Sequence, residues 1–149
     1  HAMDIMRMES GFLHWGHDIS PEENQFEAGL NFAISFNKDI DFVGKDALLK
    51  IKNKKPKKKL IMLTLKDNIP GKPLLLQDEP IYLEDEIIGV TTSGNYSFNF
   101  NKNLSYGYIK TDLSHEELSK KRIYIEVEKI KYQAEIIKKP LKQRKYKNI

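Results

Sequence analysis

The chain has 149 residues and no cysteine. That excludes disulfides and thiolate metal ligands and leaves the redox compartment open. No apolar run approaches the ~20 residues needed to cross a bilayer as a helix, so no membrane association is expected. No Walker loop and no GxGxxG is present, and no Ser/His/Asp ordering invites nucleophilic catalysis. Tryptophan occurs once, at Trp15. Residues 1–3 read as a tag remnant with no signal or transit peptide after them, which predicts a cytoplasmic protein whose natural chain begins upstream of Asp4. At this length the chain can bury one core, or one small domain and a piece of another.

The formal net charge is +4, which raises nucleic-acid binding as a reading. The lysines are spread along the chain, however, and cluster only at 52–59 and 138–147. The first cluster carries Pro56 between charged flanks and joins two patterned segments, as a solvated linker does. The second reads as a basic tail, residues 142–149. Nucleic acid is therefore not an expected partner.

Periodicity divides the chain in two. Residues 4–13 place Ile5, Met8, Phe12 and Leu13 at helical spacing. Residues 31–37 alternate, with Phe32, Ile34 and Phe36 on one face, which predicts a half-buried strand. Residues 44–52 predict an amphipathic helix burying Ala47, Leu48 and Ile51. Beyond the lysines the period becomes two. Strands are expected at 60–65, 80–83, 86–93, 104–109, 122–128 and 132–137, with a helical insert at 114–120. Gly89 would be a bulge or a tight-packing point, and Thr91 to Ser97 either a polar, ligand-facing turn or, more simply, a strand end running into a glycine turn. Six short strands suit a small antiparallel barrel or sandwich. The fold class is thus an α+β piece followed by an all-β antiparallel barrel.

One stretch is unusual. Arg7, Glu9, Gly11, His14, Trp15, Gly16, His17 and Asp18 gather a cation, acids, aromatics and glycines in a short span. Guanidinium beside an aromatic suits a flat, anionic ligand; an ordinary helix-to-loop junction fits the same residues. His14 and His17 have no third ligand at orderly spacing, so no metal is expected.

These residues carry a resemblance. Arg7-Met8-Glu9, Gly11-Phe12, His14 to Ile19, Phe26 to Leu30 and Asp41 to Leu48 resemble the end of the folate-binding core of glycine cleavage T-protein-like enzymes. Ile87 to Ser97, Leu104 to Ile109 and Lys139-Pro140-Leu141 are similar to that family's C-terminal barrel. The His-Trp-Gly-His-Asp and Asp-Phe-Val-Gly-Lys forms are most similar to dimethylglycine and sarcosine dehydrogenases. The resemblance implies residues 4–57 as the incomplete end of the folate-binding core and 58–141 as the barrel. It further implies a parent enzyme that passes a carbon from a small methylated amine to tetrahydrofolate, with FAD in a missing N-terminal region.

The family's Arg-x-Glu matches Arg7 and Glu9, which implies Arg7 as a folate partner oriented by Glu9. Its aromatic before the glycine, often Tyr, matches Trp15, implied to wall the pocket. Catalytic residues would lie upstream, leaving none in this fragment, which would be inactive alone. A flavin-free aminomethyltransferase and a non-catalytic interaction or capping barrel are the alternatives. A sheet lacking its upstream strands would expose edges and favour a homodimer or strand exchange.

Overall fold

The computed structural model describes residues 2–67, 69–137 and 140–141. The basic tail at 142–149 and Lys138-Lys139 lie outside them. Six strands form a closed antiparallel barrel: β1 (Lys59–Leu65), β2 (Pro80–Leu83), β3 (Glu86–Ser97), β4 (Lys102–Ile109), β5 (Ile123–Val127) and β6 (Ile130–Ile137). Around the barrel the order is β1-β4-β3-β2-β5-β6. Closure removes the exposed hydrogen-bonding edges of an open sheet.

Alternation places Ile61, Leu63 and Leu65 of β1 inside, with Leu75, Ile81, Ile109, Ile123 and Ile125. Burying each such side chain contributes roughly 1.5–3 kcal/mol. The outward residue Met62 is also buried, because a helix covers that face. Helix α1 (Ala2–Glu9) sets Met8 against Met62, Leu104 and Tyr106 in a second core. That explains why β1 reads as a continuous apolar run rather than a clean alternation. A short helix, α3 (His115–Ser119), begins with a capping box between Ser114 and Glu117 and buries Leu118 in the barrel core.

Three expectations change. The first helix stops at Glu9 rather than residue 13. Gly11 adopts φ +77°, its N–H donates to the Met8 carbonyl at 3.0 Å, and Phe12 N–H donates to the Arg7 carbonyl at 2.9 Å. This pair of reversed bonds is a Schellman C-cap, which terminates a helix at a left-handed glycine. The expected strand at 31–37 is instead a 3₁₀ turn, Asn31–Ala33, with Phe32 82% exposed. Alternation alone cannot hold a strand: no described strand lies alongside to accept its backbone hydrogen bonds. The first 57 residues therefore contribute helices, turns and one isolated bridge, Trp15 to Ile19. Helix α2 (Lys45–Lys52) forms where expected, but buries no residue: Ala47 is exposed, Leu48 and Ile51 half-buried.

Strand β3 also runs further than expected, through Gly94 to Ser97, with no turn at the glycine. Its pairing with β4 slips between Thr91, opposite Gly107, and Ser93, opposite Tyr106, so Thr92 is an extra residue. Gly89 is a tight-packing point, since a Cβ there would collide with the Tyr108 carbonyl. We therefore expect Gly89→Ala to lower stability by about 2–3 kcal/mol, read as a shift in the urea midpoint at unchanged slope. An unchanged midpoint would refute this packing.

Candidate functional site

Helix α1 presents Arg7 from its last turn toward the bulge of β3. There the guanidinium meets Asp18, whose side chain is fully buried and which sits in the turn after Gly16. Arg7 Nη1 donates to Asp18 Oδ2 at 2.5 Å and Arg7 Nη2 donates to Ser93 Oγ at 2.9 Å. The other carboxylate oxygen, Asp18 Oδ1, accepts from Thr92 Oγ1 and Ser93 Oγ, each at 2.7 Å. The His14 N–H donates to Oδ2 at 2.8 Å, and Tyr108 Oη donates to the Asp18 backbone carbonyl at 2.9 Å.

The bulge makes this possible. Successive residues of a regular strand face opposite sides, so Thr92 and Ser93 could not both reach one carboxylate. An extra residue re-aims the pair. The Asp18 carboxylate thus accepts from two hydroxyls, one backbone N–H and the Arg7 guanidinium, which meets the need of a buried carboxylate for full hydrogen bonding.

The sequence-predicted residues land in different places. Arg7 is central. Its side chain is 16% exposed, and Nε also donates to Asp4 at 3.4 Å and Nη1 to the Phe12 carbonyl at 3.3 Å. Glu9 lies on another face of α1, where it accepts from Ser97 Oγ at 2.5 Å and from Asn99 Nδ2 at 3.0 and 3.2 Å. Arg7 is oriented by Asp4 and Asp18 rather than by Glu9. Trp15 is 66% exposed and bridges by backbone to Ile19. Asp18, Thr92 and Ser93 stood in stretches that the sequence marked out, but nothing in the sequence brought them together. The signal available was an acid just past a turn glycine and a run of hydroxyls in a strand.

Beside this Arg7–Asp18 latch onto β3 lies a cavity of about 340 Å³, lined by Arg7, His14, His17, Leu76, Ser93 and Asn95 among others. The His14 and His17 rings stack at 4.6 Å between centroids. Trp15 does not line this cavity. Among the described residues no group of three or more His, Asp and Glu side chains is placed to hold a metal. Tyr106 is pushed up to about 12 by burial first and by the nearby Asp18 charge second, with Arg7 opposing. Tyr108 is likewise raised, by burial first and then by Glu23, Asp18 and Glu27.

A family model for the glycine cleavage T-protein C-terminal barrel domain matches residues 58–142, and one for the GCVT N-terminal domain matches residues 1–38. The chain belongs to the glycine cleavage T-protein family. Among family relatives, mitochondrial dimethylglycine dehydrogenase of Rattus norvegicus is 36% identical over 142 residues, covering 95% of this chain and 16% of that protein. An aminomethyltransferase of Symbiobacterium thermophilum is 37% identical over 108 residues, covering 72% of this chain and 28% of that protein. The chain therefore spans well under half the length of either relative. In fold it is similar to the glycine cleavage system aminomethyltransferase T of Bartonella henselae, with TM-score 0.80 and 23% identity. That match covers 97% of this T-protein family chain and 39% of the other.

Two outcomes test the latch. Asp18→Ala leaves the Arg7 guanidinium without its buried counter-charge and is expected to cost about 3 kcal/mol in denaturant unfolding. Ser93→Ala in that background should add far less than it costs alone, since both act through one carboxylate. Additive losses would show that the two bonds are independent.

Acid adds a second handle. Burial pushes Glu23 up, but the Lys58 ammonium at 2.5 Å and the Ser20 hydroxyl and N–H outweigh it and hold its carboxyl below the usual range. A lowered folded-state value means stability present above the unfolded pKa and lost as pH falls through the folded one. Glu23→Gln should therefore lower Tm at neutral pH and flatten its decline below about pH 4.5.

Proposed function

We propose that this chain is the C-terminal part of a folate-dependent one-carbon enzyme, with residues 4–57 ending the folate-binding core and 58–141 forming the barrel beside it. In the finer reading the parent is an FAD-dependent dimethylglycine or sarcosine dehydrogenase that passes the methyl-derived carbon to tetrahydrofolate. The observation that carries the site assignment is Arg7, held by Asp18 and Ser93 in the wall of a cavity.

The residues fit an edge of such a ligand. A guanidinium has five N–H donors. Four are engaged, by Asp4, the Phe12 carbonyl, Asp18 and Ser93. One N–H on Nη2 is left for a ligand, which excludes a bidentate clamp on a carboxylate and allows a single directed bond. His14, His17 and Asn95 complete the polar rim. Arg7 therefore orients an acceptor on the bound cofactor, and Asp18 keeps Arg7 in place. Tetrahydrofolate, when bound, supplies the nitrogens that take up the one-carbon unit. FAD has no part in these residues and belongs to the dehydrogenase reading of the parent.

Three relatives, of two kinds, bear on the finer reading. Alignment to dimethylglycine dehydrogenase extends over 95% of the chain, against 72% for the Symbiobacterium aminomethyltransferase and 96% for an aminomethyltransferase of Listeria welshimeri at 33% identity. A plain aminomethyltransferase is thus the second reading. The visible spectrum of the natural full-length protein separates them. A flavin spectrum bleached by dimethylglycine or sarcosine is expected; a colourless protein would leave the aminomethyltransferase. In the same protein Arg7→Ala should weaken tetrahydrofolate binding about tenfold, the worth of one hydrogen bond to a charged group, with flavin reduction intact. Arg7→Lys, which keeps the charge against Asp18, should restore stability without restoring affinity. Unchanged folate affinity in both would refute the assignment of Arg7.

A further inference from the structure

The cavity beside Arg7 has a second wall, supplied by the loop that leads into β2. Leu75 of that loop is 1% exposed and packs in the barrel core, while Leu76, the next residue, is 50% exposed and lines the cavity. The loop lies directly on β3, since a Cβ at Gly94 would stand 2.6 Å from the Leu75 Cβ. A tight turn then fixes Leu76. The Glu79 carboxylate accepts from the Leu76 N–H at 2.7 Å and from the Thr91 hydroxyl. Thr91 Oγ1 in turn accepts from the Glu79 N–H at 3.0 Å, and the Thr91 carbonyl accepts from the Asp78 N–H at 2.8 Å. Asp78 adopts φ +62°, the left-handed conformation that Asp tolerates and that lets so short a turn close.

Thr91 is the residue before the bulge. Three consecutive residues of β3 therefore hold both sides of the cavity: Thr91 holds the Leu76 turn, while Thr92 and Ser93 hold Asp18 and Arg7. The distance between the Arg7 guanidinium and the Leu76 side chain is thus set by one short piece of strand.

We propose that Leu76 is a specificity-determining residue of this site, which selects a ligand presenting a flat, uncharged ring with one hydrogen-bond acceptor at its edge. Among the described residues the cavity is lined by two apolar side chains, Met8 and Leu76, and Met8 is fully buried. Leu76 is accordingly the apolar surface that a ligand can cover. The stacked His14 and His17 rings, 22° from parallel, line the same space and suit a flat partner. Arg7 is already neutralised by Asp18 and Asp4, so the site offers no free cation to an anionic ring. Trp15 does not line this cavity, so its accessible apolar wall belongs to the barrel rather than to the N-terminal part. The inference rests on the reading of Arg7 above for where the ligand sits, and goes beyond it in naming what that ligand must present.

The experiment is an NMR titration of the 149-residue chain with benzamide and with cyclohexanecarboxamide, which carry the same amide on a flat and a puckered ring. Benzamide should saturate shifts of the Leu76 methyls and the Arg7 Nε–H, and bind about fivefold tighter than the puckered amide. Leu76→Ala should lose about that fivefold, with an unchanged Tm because the side chain is half exposed in the free protein. Leu76→Met, which keeps the apolar reach, should restore most of it. Equal affinity for the two amides would overturn the proposal. So would an undiminished affinity in Leu76→Ala, no saturable binding, or shifts confined to other residues. In the natural full-length protein Leu76→Ala should likewise weaken tetrahydrofolate about fivefold. A loss there in Arg7→Ala alone would overturn the role of Leu76 and leave the folate reading standing. Absence of tetrahydrofolate binding by the unsubstituted protein would refute the folate reading, and the benzamide titration would still decide the wall.

Discussion

The small N-terminal part contains one buried charge pair, Arg7 with Asp18, and docks on the barrel through the bonds this pair makes to Thr92, Ser93 and Tyr108. Helix α1 buries only Met8 and Glu9 fully and has no neighbouring sheet of its own. Its orientation therefore depends on where Arg7 is anchored. Asp18 is the anchor because both of its oxygens are occupied, one by the guanidinium and His14 N–H, the other by the hydroxyls of β3. Taking these charges out of water is costly, and their attraction compensates only because the hydrogen-bonding capacity is filled. The latch therefore contributes a defined docking geometry more than net stability. Two further polar fastenings act alongside it, Glu9 to Ser97 and Asn99, and Glu23 to Lys58. Each joins the helical part to a strand, or to the approach to one.

The division of labour follows. The barrel is held by apolar burial and a continuous hydrogen-bonded ladder, which supply most of the stability of such a fold. The N-terminal part has a thin apolar contact, Met8 on Met62, Leu104 and Tyr106, supplemented by directional polar bonds. Apolar contact tolerates sliding; a carboxylate with fixed donors does not. The cavity rim formed by Arg7, His14, His17 and Asn95 can thus be set by a helix that has little core of its own.

Much of the barrel was legible in the sequence because alternation states which side chains face inward, and all six strands appear where the period is two. The strand at 31–37 was misread for a related reason: its alternation is real, but pairing depends on a neighbour that periodicity does not report. Helix α1 ended early because the reversal at Gly11 outweighed the apolar residues beyond it. At the site, Arg7 was legible from its charge and surroundings. Asp18 stood out beside it and Thr92 and Ser93 lay in a noted run of hydroxyls, but their meeting was not legible, because it requires contacts between residues more than seventy positions apart. The slip of β3 against β4 is a property of two strands together, so neither strand's sequence reveals it. The lysines at 52–59 were read by composition as a linker, which cannot express that their partners Asp112 and Leu113 lie across the fold.

The extra residue in β3 also limits how this region can change. Substitutions at Thr92 or Ser93 alter the strength of the docking, but deleting one residue between Thr91 and Ser93 would restore a regular ladder and turn one hydroxyl away from Asp18. Inserting one would move both. Segment length at this point is thus coupled to the placement of a helix more than seventy residues earlier in the chain. A barrel of the same strands and the same core, with one residue fewer here, would be well packed and would hold α1 at a different angle.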